Sequence, residues 1–286
     1  MNSRRDLAIS ALRMAKQVRS QKGVPDNTPL NTIDFALQFC DVWFQGVPSL
    51  EGLYSNEPTP TIALGSKRPI GRQSFTCAHE LGHHLFKHGA KIDELEGSTT
   101  GCKKDDDEYL ADTFAGFLLM PQRAMLKTFA DRAWEYNSLT PFQLHTLSSY
   151  FGVGYSSIIN HLAYSLQLIP HSQALDLLHT TPNKIKKNLG VESCAHLHLT
   201  DNLWGEKPLD VWAGDCIGVP HSIKFDRPER LIQIGEIETH RFYKVLSLGL
   251  IRSFDTTSNW GFFIRASRPQ FVGLAEYRFL EDTEEE

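Results

Sequence analysis

The sequence predicts an α+β fold in three parts: a mostly helical domain with a small sheet (1–130), a helix-turn-helix-like helical unit (131–190) and a strand-rich C-terminal domain (191–286). Three observations predict it. Apolar residues recur at helical spacing through most of the chain up to Gly190. Beyond it, runs such as LIQIGEI, YKVLSLGLI, WGFFIRA and FVGLAEYRF are rich in branched and aromatic residues and broken by turn signals. The 286 residues are 41% hydrophobic and 22% charged, with 20 Gly and 14 Pro spread along them, which excludes a disordered or collagen-like chain. A folded chain of this size buries roughly three quarters of its unfolded surface and needs no staples.

Taken in order, Leu7, Ala11, Met14 and Val18 give an amphipathic first helix from Arg4 to about Gln21. Thr32 is placed to cap a second, with Ile33, Ala36, Leu37 and Cys40 on one face. Two strand-like runs follow, Leu50 to Tyr54 and Thr61 to Leu64, separated by the turn-rich NEPTP. A helix is expected from about Arg72 to Lys87, then a polar, acidic loop from Gly89 to Asp107, then a helix from Glu108 to Leu119 that stops before Pro121. Residues 139–169 have a helix-turn-helix cadence: an apolar helix, a Phe-Gly-Val-Gly turn, and Tyr155 to Leu166 in the place of a recognition helix.

The chemistry concentrates in Cys77-Ala-His79-Glu80-Leu-Gly-His83-His84. On a helix, His79 and His83 lie one turn apart and project side by side, so two imidazole nitrogens can hold one metal ion. Glu80 falls about 60° around the axis from His83, where it can touch an activated water rather than the metal. At this composition an HExxH arises by chance about 0.03 times per chain. Gly82 costs about 1 kcal/mol relative to Ala inside a helix, which points to close approach of another backbone. A hydrolytic zinc needs a third protein ligand and an open fourth position. Gly89 stands where HExxHxxGxxH carries a third histidine, and His84 and His88 lie on other faces of the helix, on the surface or behind the ligands. Glu94 and Glu96 are candidates in the loop. Glu108 is the better one, since Ala111, Ala115 and Leu118 let its helix pack closely against the first. Asp112, one turn on, can then accept a hydrogen bond from the far nitrogen of a ligating histidine. The alternative for Glu108 is a charge favoured by the helix macrodipole. Zinc is the default ion for such donors, and manganese or iron also suits them.

Arg72-Gln-Ser-Phe75-Thr76-Cys-Ala-His79-Glu80-Leu-Gly-His83, followed by Glu108-x-x-Ala-Asp112-x-Phe-Ala-x-x-Leu-Leu-Met-Pro121, resembles the ImmA/IrrE family of zinc metallopeptidases. Leu50-Glu51-Gly52-Leu-Tyr54 resembles the short strand that precedes the active-site helix in that family, and the likeness covers about residues 48–170. It implies a zincin-like domain with His79, His83 and Glu108 as metal ligands, Glu80 as general base, and a helix-turn-helix-like unit afterwards. It also implies an endopeptidase that makes a single cut in a transcriptional repressor or antitoxin-like partner, often encoded next door. The chain departs from the family in carrying Asp112 where Asn is common, Leu110 where an acid is common, and Thr-Ile-Ala-Leu-Gly without a usual Asn. Tyr54 and Tyr109 are candidates for stabilising the oxyanion.

No GxSxG, GxxxxGK[ST] or GxGxxG is present. Between Ser138 and Asn183 there is no Lys or Arg, and with a net charge of −5 this argues against direct DNA binding and for a docking or structural role of the helical unit. Five dispersed cysteines without a CxxC, no secretion signal and no apolar run of membrane-spanning length suggest a reducing cytoplasm. Cys77 reads as a small buried residue or as a redox-sensitive neighbour of the metal. Two other functions fit parts of the sequence: a DNA-binding regulator with a structural metal site, and a catalytically idle metal sensor. Glu80 separates them from a peptidase, because a structural site closes with a fourth side chain and has no use for an adjacent carboxylate.

Overall fold

The computed structural model describes residues 3–89, 91–94, 105–258 and 260–280 and is α+β. It divides into two compact units: Met1–Thr128 with Gln270–Glu276, and Phe129–Pro269 with Tyr277–Glu286.

In the first unit, α1 (Arg4–Gln21) opens on a capping box in which Ser3 and Asp6 each satisfy the other's backbone N–H. It buries Leu7, Ala11, Ala15 and Val18, as the spacing requires, and also Arg19. That guanidinium donates to the Leu118 and Pro25 carbonyls at 2.7 Å, satisfying acceptors at the end of a neighbouring helix and in a loop. Helix α2 (Thr32–Ala36) is shorter than its apolar pattern suggests, and Asn31 rather than Thr32 holds the cap position. Thr32 is buried, and its hydroxyl lies 2.6 Å from that of Ser74 instead.

Strands β1 (Asp41–Gln45), β2 (Leu50–Ser55), β3 (Thr61–Gly65) and β4 (Lys91–Glu94), with a two-residue strand at Gly273–Leu274, form one sheet. Its order is Gly273–Leu274, β1, β3, β2, β4. β1 runs parallel to β3, and β2 is antiparallel to both β3 and β4. Alternate residues Val42, Phe44, Ile62 and Leu64 are buried. Two expectations change. The loop foreseen from Gly89 to Asp107 contains β4, an edge strand specified by the open backbone of β2 rather than by a pattern of its own. FVGLAEYRF is not a long strand: it gives two residues that pair with Trp43 and Phe44 of β1, then a 3₁₀ turn at Ala275–Tyr277. Helices α3 (Ile70–Phe86) and α4 (Asp106–Leu119) complete the unit.

Helix α5 (Gln122–Arg132) is followed by α6 (Pro141–Phe151), which has a Thr140/Gln143 capping box and ends at Gly152 in the left-handed region (φ 66°). Beyond the Gly152–Gly154 turn, α7 (Tyr155–Asn160) passes into a π-helical turn at His161–Ser165, so the second helix of the expected pair is not regular to Leu166. Helices α8 (His171–Leu178) and α9 (Pro182–Asn188) follow. The strands after them are β5 (Leu197–Leu199), β6 (Leu209–Trp212), β7 (Cys216–Pro220), β8 (Ile223–Phe225), β9 (Leu231–Glu236), β10 (His240–Val245), β11 (Gly249–Asp255) and β12 (Gly261–Ser267). They form two four-stranded sheets, β5-β7-β10-β9 and β6-β12-β11-β8, sharing a core of Trp204, Val211, Ile217, Val219, Val245, Ile251, Phe262 and Ile264. The helices join this strand structure directly: His145 Nε2 lies 2.8 Å from the Leu197 carbonyl, and Leu199 N donates to Ser149 Oγ. Among the described residues, no helix is long and apolar enough to cross a membrane.

Candidate metal centre

Helix α3 carries the HExxH stretch on its buried face: His79, Glu80 and His83 are 5%, 0% and 0% exposed. The helix is fixed at several points. Glu51 on β2 pairs with Arg72 at 2.6 Å, and Gln73 Nε2 donates to the carbonyls of Gly65 and Ser66 at 3.2 Å each. At Gly82 a Cβ would stand 3.2 Å from the Ala111 Cα and 3.1 Å from the Phe114 ring, so the missing side chain is what lets α4 approach. That close approach carries Glu108, in the first turn of α4, to the two histidines.

His79 Nε2 and His83 Nε2 lie 3.0 Å apart, and the Glu108 carboxylate oxygens stand 3.3 and 3.5 Å from them. Tetrahedral bonds of about 2.05 Å put neighbouring ligand atoms about 3.3 Å apart, so the three donors are spaced for an ion such as zinc. They are the only such trio among the described residues. His79 Nδ1 is 2.9 Å from Asp112 Oδ1, the bond that leaves Nε2 available to a metal. Burial alone would make His79 less basic, but the hydrogen bonds to Asp112 and Glu108 push its pKa up to about 10. Hydrogen bonds from His79 and then His83 hold Glu108 well below the usual carboxylate range, against the effect of burial. Glu108 keeps 26% of its side-chain surface exposed, which leaves the trio open on that side.

The Glu80 carboxylate lies against the backbone of β2: a Cβ on Gly52 would collide with Glu80 Oε1 and the Thr76 methyl. Gly52 therefore belongs to the machinery of the site for a steric reason that a single sequence does not display. Tyr54 is buried with its hydroxyl 2.9 Å from His84 Nδ1, and Tyr109 lies under the Arg4 guanidinium, 4.8 Å from the ring centroid. Cys77 is buried and not in a disulfide. The side chain of Glu94, and Glu96 altogether, lie outside the described residues.

Two histidines one helical turn apart, with an acidic donor from a second helix, form a group that could hold a metal ion. Residues 45–163 match the family model Peptidase_M78, the IrrE N-terminal-like domain. Through this segment the chain is similar to the IrrE-type metallopeptidases that the family model describes. No curated protein matches the chain. A solved structure described as a Mycobacterium tuberculosis transcriptional regulator is similar over 56% of this chain, with 16% identity and a TM-score of 0.36. The match spans 46% of that protein, less than half its length.

Proposed function

We propose that this protein is a zinc-dependent endopeptidase that makes site-specific cuts in a regulatory protein, a helix-turn-helix repressor or antitoxin-like partner encoded nearby. The observation that carries the peptidase reading is the spacing of His79 Nε2, His83 Nε2 and Glu108 at tetrahedral distances, with the buried Glu80 on the same helix. His79, His83 and Glu108 would hold the ion. Bound there, zinc supplies Lewis acidity that polarises a peptide carbonyl and acidifies water, and manganese or iron(II) supplies similar chemistry.

The protein's own groups do the rest. Asp112 keeps His79 in the tautomer that offers Nε2. Glu80, seated against Gly52, takes a proton from the attacking water and returns it to the departing amine. A site on one helix beside a sheet acts on an extended peptide, so the cut falls in a flexible linker or frayed helix end of the partner. In this reading the strand-rich part after Gly190 serves as a sensor or docking module, and the protein acts in the cytoplasm without binding DNA itself.

The test is to incubate metal-loaded wild type and Glu80→Gln with the purified neighbouring repressor and with casein. The expected result is one cut in the repressor, little casein digestion, and about a hundredfold or greater loss of cleavage in Glu80→Gln at unchanged metal content. Broad casein digestion with an intact repressor would refute the dedicated substrate. Equal cleavage by Glu80→Gln would refute the general base.

A further inference from the structure

We infer that His88 is a positioning residue for the metal ligand His83, the counterpart of Asp112 for His79. The inference rests on the metal site proposed above and adds a residue to it. As α3 ends, Lys87 adopts a left-handed conformation (φ 60°, ψ 42°), with Lys87 N donating to the His84 carbonyl and His88 N to that of His83. These two bonds form a Schellman turn, which usually places glycine where Lys87 stands. The turn folds the chain back so that His88 Nδ1 lies 3.0 Å from His83 Nδ1. The Phe86 ring stacks on His88 with 15° between the planes, and His88 Nε2 faces Asp107 Oδ1 at 3.5 Å.

The order of hydrogens along this chain follows from one condition. If His83 gives its Nε2 lone pair to a metal, its proton sits on Nδ1 and points at His88, whose Nδ1 must accept it. His88 then carries its own proton on Nε2, toward Asp107. The result is a continuous path, His83 Nδ1–H to His88 Nδ1, then His88 Nε2–H to Asp107, which ends on a carboxylate as the His79 path ends on Asp112. His83 is fully buried, so without His88 its Nδ1–H would have to find another acceptor away from water. Each ligand histidine is thus aimed from behind, one directly and one through a relay, from the first two turns of α4.

The test compares wild type, His88→Gln, His88→Phe and His83→Ala for the dissociation constant of zinc and the visible spectrum of the cobalt(II) form. Thermal stability of each metal-free protein is measured alongside. His88→Phe fills the space without an acceptor, and His88→Gln restores an acceptor. The expected result is zinc binding about 10- to 100-fold weaker in His88→Phe, with a shifted cobalt spectrum, partial recovery in His88→Gln, and metal-free stability near wild type. Wild-type zinc affinity and cobalt spectrum in His88→Phe, alongside loss of metal in His83→Ala, would overturn the role of His88 and leave the metal site standing. Full metal retention by His83→Ala would overturn the site itself, and the inference with it.

Discussion

A single missing methyl group sets the position of the proposed base. Gly52 in β2 leaves the room that the Glu80 carboxylate occupies, and alanine there would meet both Glu80 and the Thr76 methyl. Backbone cannot yield as a flexible side chain can, so the carboxylate must move. Gly52→Ala should therefore lose activity, by about a hundredfold if Glu80 shifts by 1 Å, while zinc content stays near one ion per chain because no ligand is touched. Turnover and metal analysis on one preparation check this, and a variant with wild-type turnover would place the base elsewhere. His79, Glu80 and His83 stand out in the sequence because their geometry follows from spacing on one helix. Gly52 and His88 do not, since each meets the site through a turn or a strand contact that no period encodes. His88 in particular falls on another face of a continued helix, and only the left-handed Lys87 brings it back.

Between elements, the contact of α3 with α4 decides whether Glu108 reaches the histidines. Gly82→Ala gains about 1 kcal/mol of helix propensity but forces a Cβ within 3.2 Å of the Ala111 backbone. Overpacking of this kind costs about 1–3 kcal/mol, so the net expectation is a loss of roughly 1 kcal/mol and weaker zinc binding as α4 is pushed away. Urea unfolding and a zinc titration measure the two effects. A second prediction concerns α6 and β5. His145 is buried, its Nε2–H donates to the Leu197 carbonyl, and its Nδ1 meets no partner. Protonation would bury an unsatisfied N–H, and burial pulls the pKa down from the usual 6.5 to about 4, against the pull of the Leu197 bond. The unfolded chain thus binds the extra proton first. This contribution is fully present above pH 6.5 and is lost as pH falls toward 4, amounting to about 3 kcal/mol. The unfolding free energy of wild type should decline across that window more steeply than that of His145→Gln, and parallel curves would refute the assignment. The paired helical motifs are legible because their apolar periods are long. After residue 190 the apolar runs mark β9, β12 and parts of β10 and β11, whereas β5 to β8, three to five residues each, are too short to carry a pattern. β1 was missed because DVWFQ offers only three apolar residues, and β4 because an edge strand borrows its order from its neighbour.

At the scale of the molecule, the chain leaves its first unit at Thr128, builds the second, and comes back with Gln270–Glu276 to finish the first. No composition or charge boundary marks that return, so the sequence could not disclose it. The returning segment lays Gly273–Leu274 along β1 and sets Phe271 edge-on to Phe44, 6.1 Å between centroids. Cutting the chain before Gln270 should therefore raise the hydrogen-exchange rate of β1 amides and lower the thermal midpoint, while β2 and β3 keep their protection. Equal protection of β1 with and without the segment would show that the strand contributes nothing. The same return path also sets a timetable for the nascent protein. A ribosome adding 5–20 residues each second spends on the order of ten seconds on the second unit, and throughout that interval the first sheet has a raw edge at β1. Its helices α3 and α4 have already emerged, but the sheet on which α3 rests is still open. The unit that carries the candidate metal site is thus completed only once the whole second unit has been translated, so fragments released early carry the HExxH sequence on an unfinished scaffold.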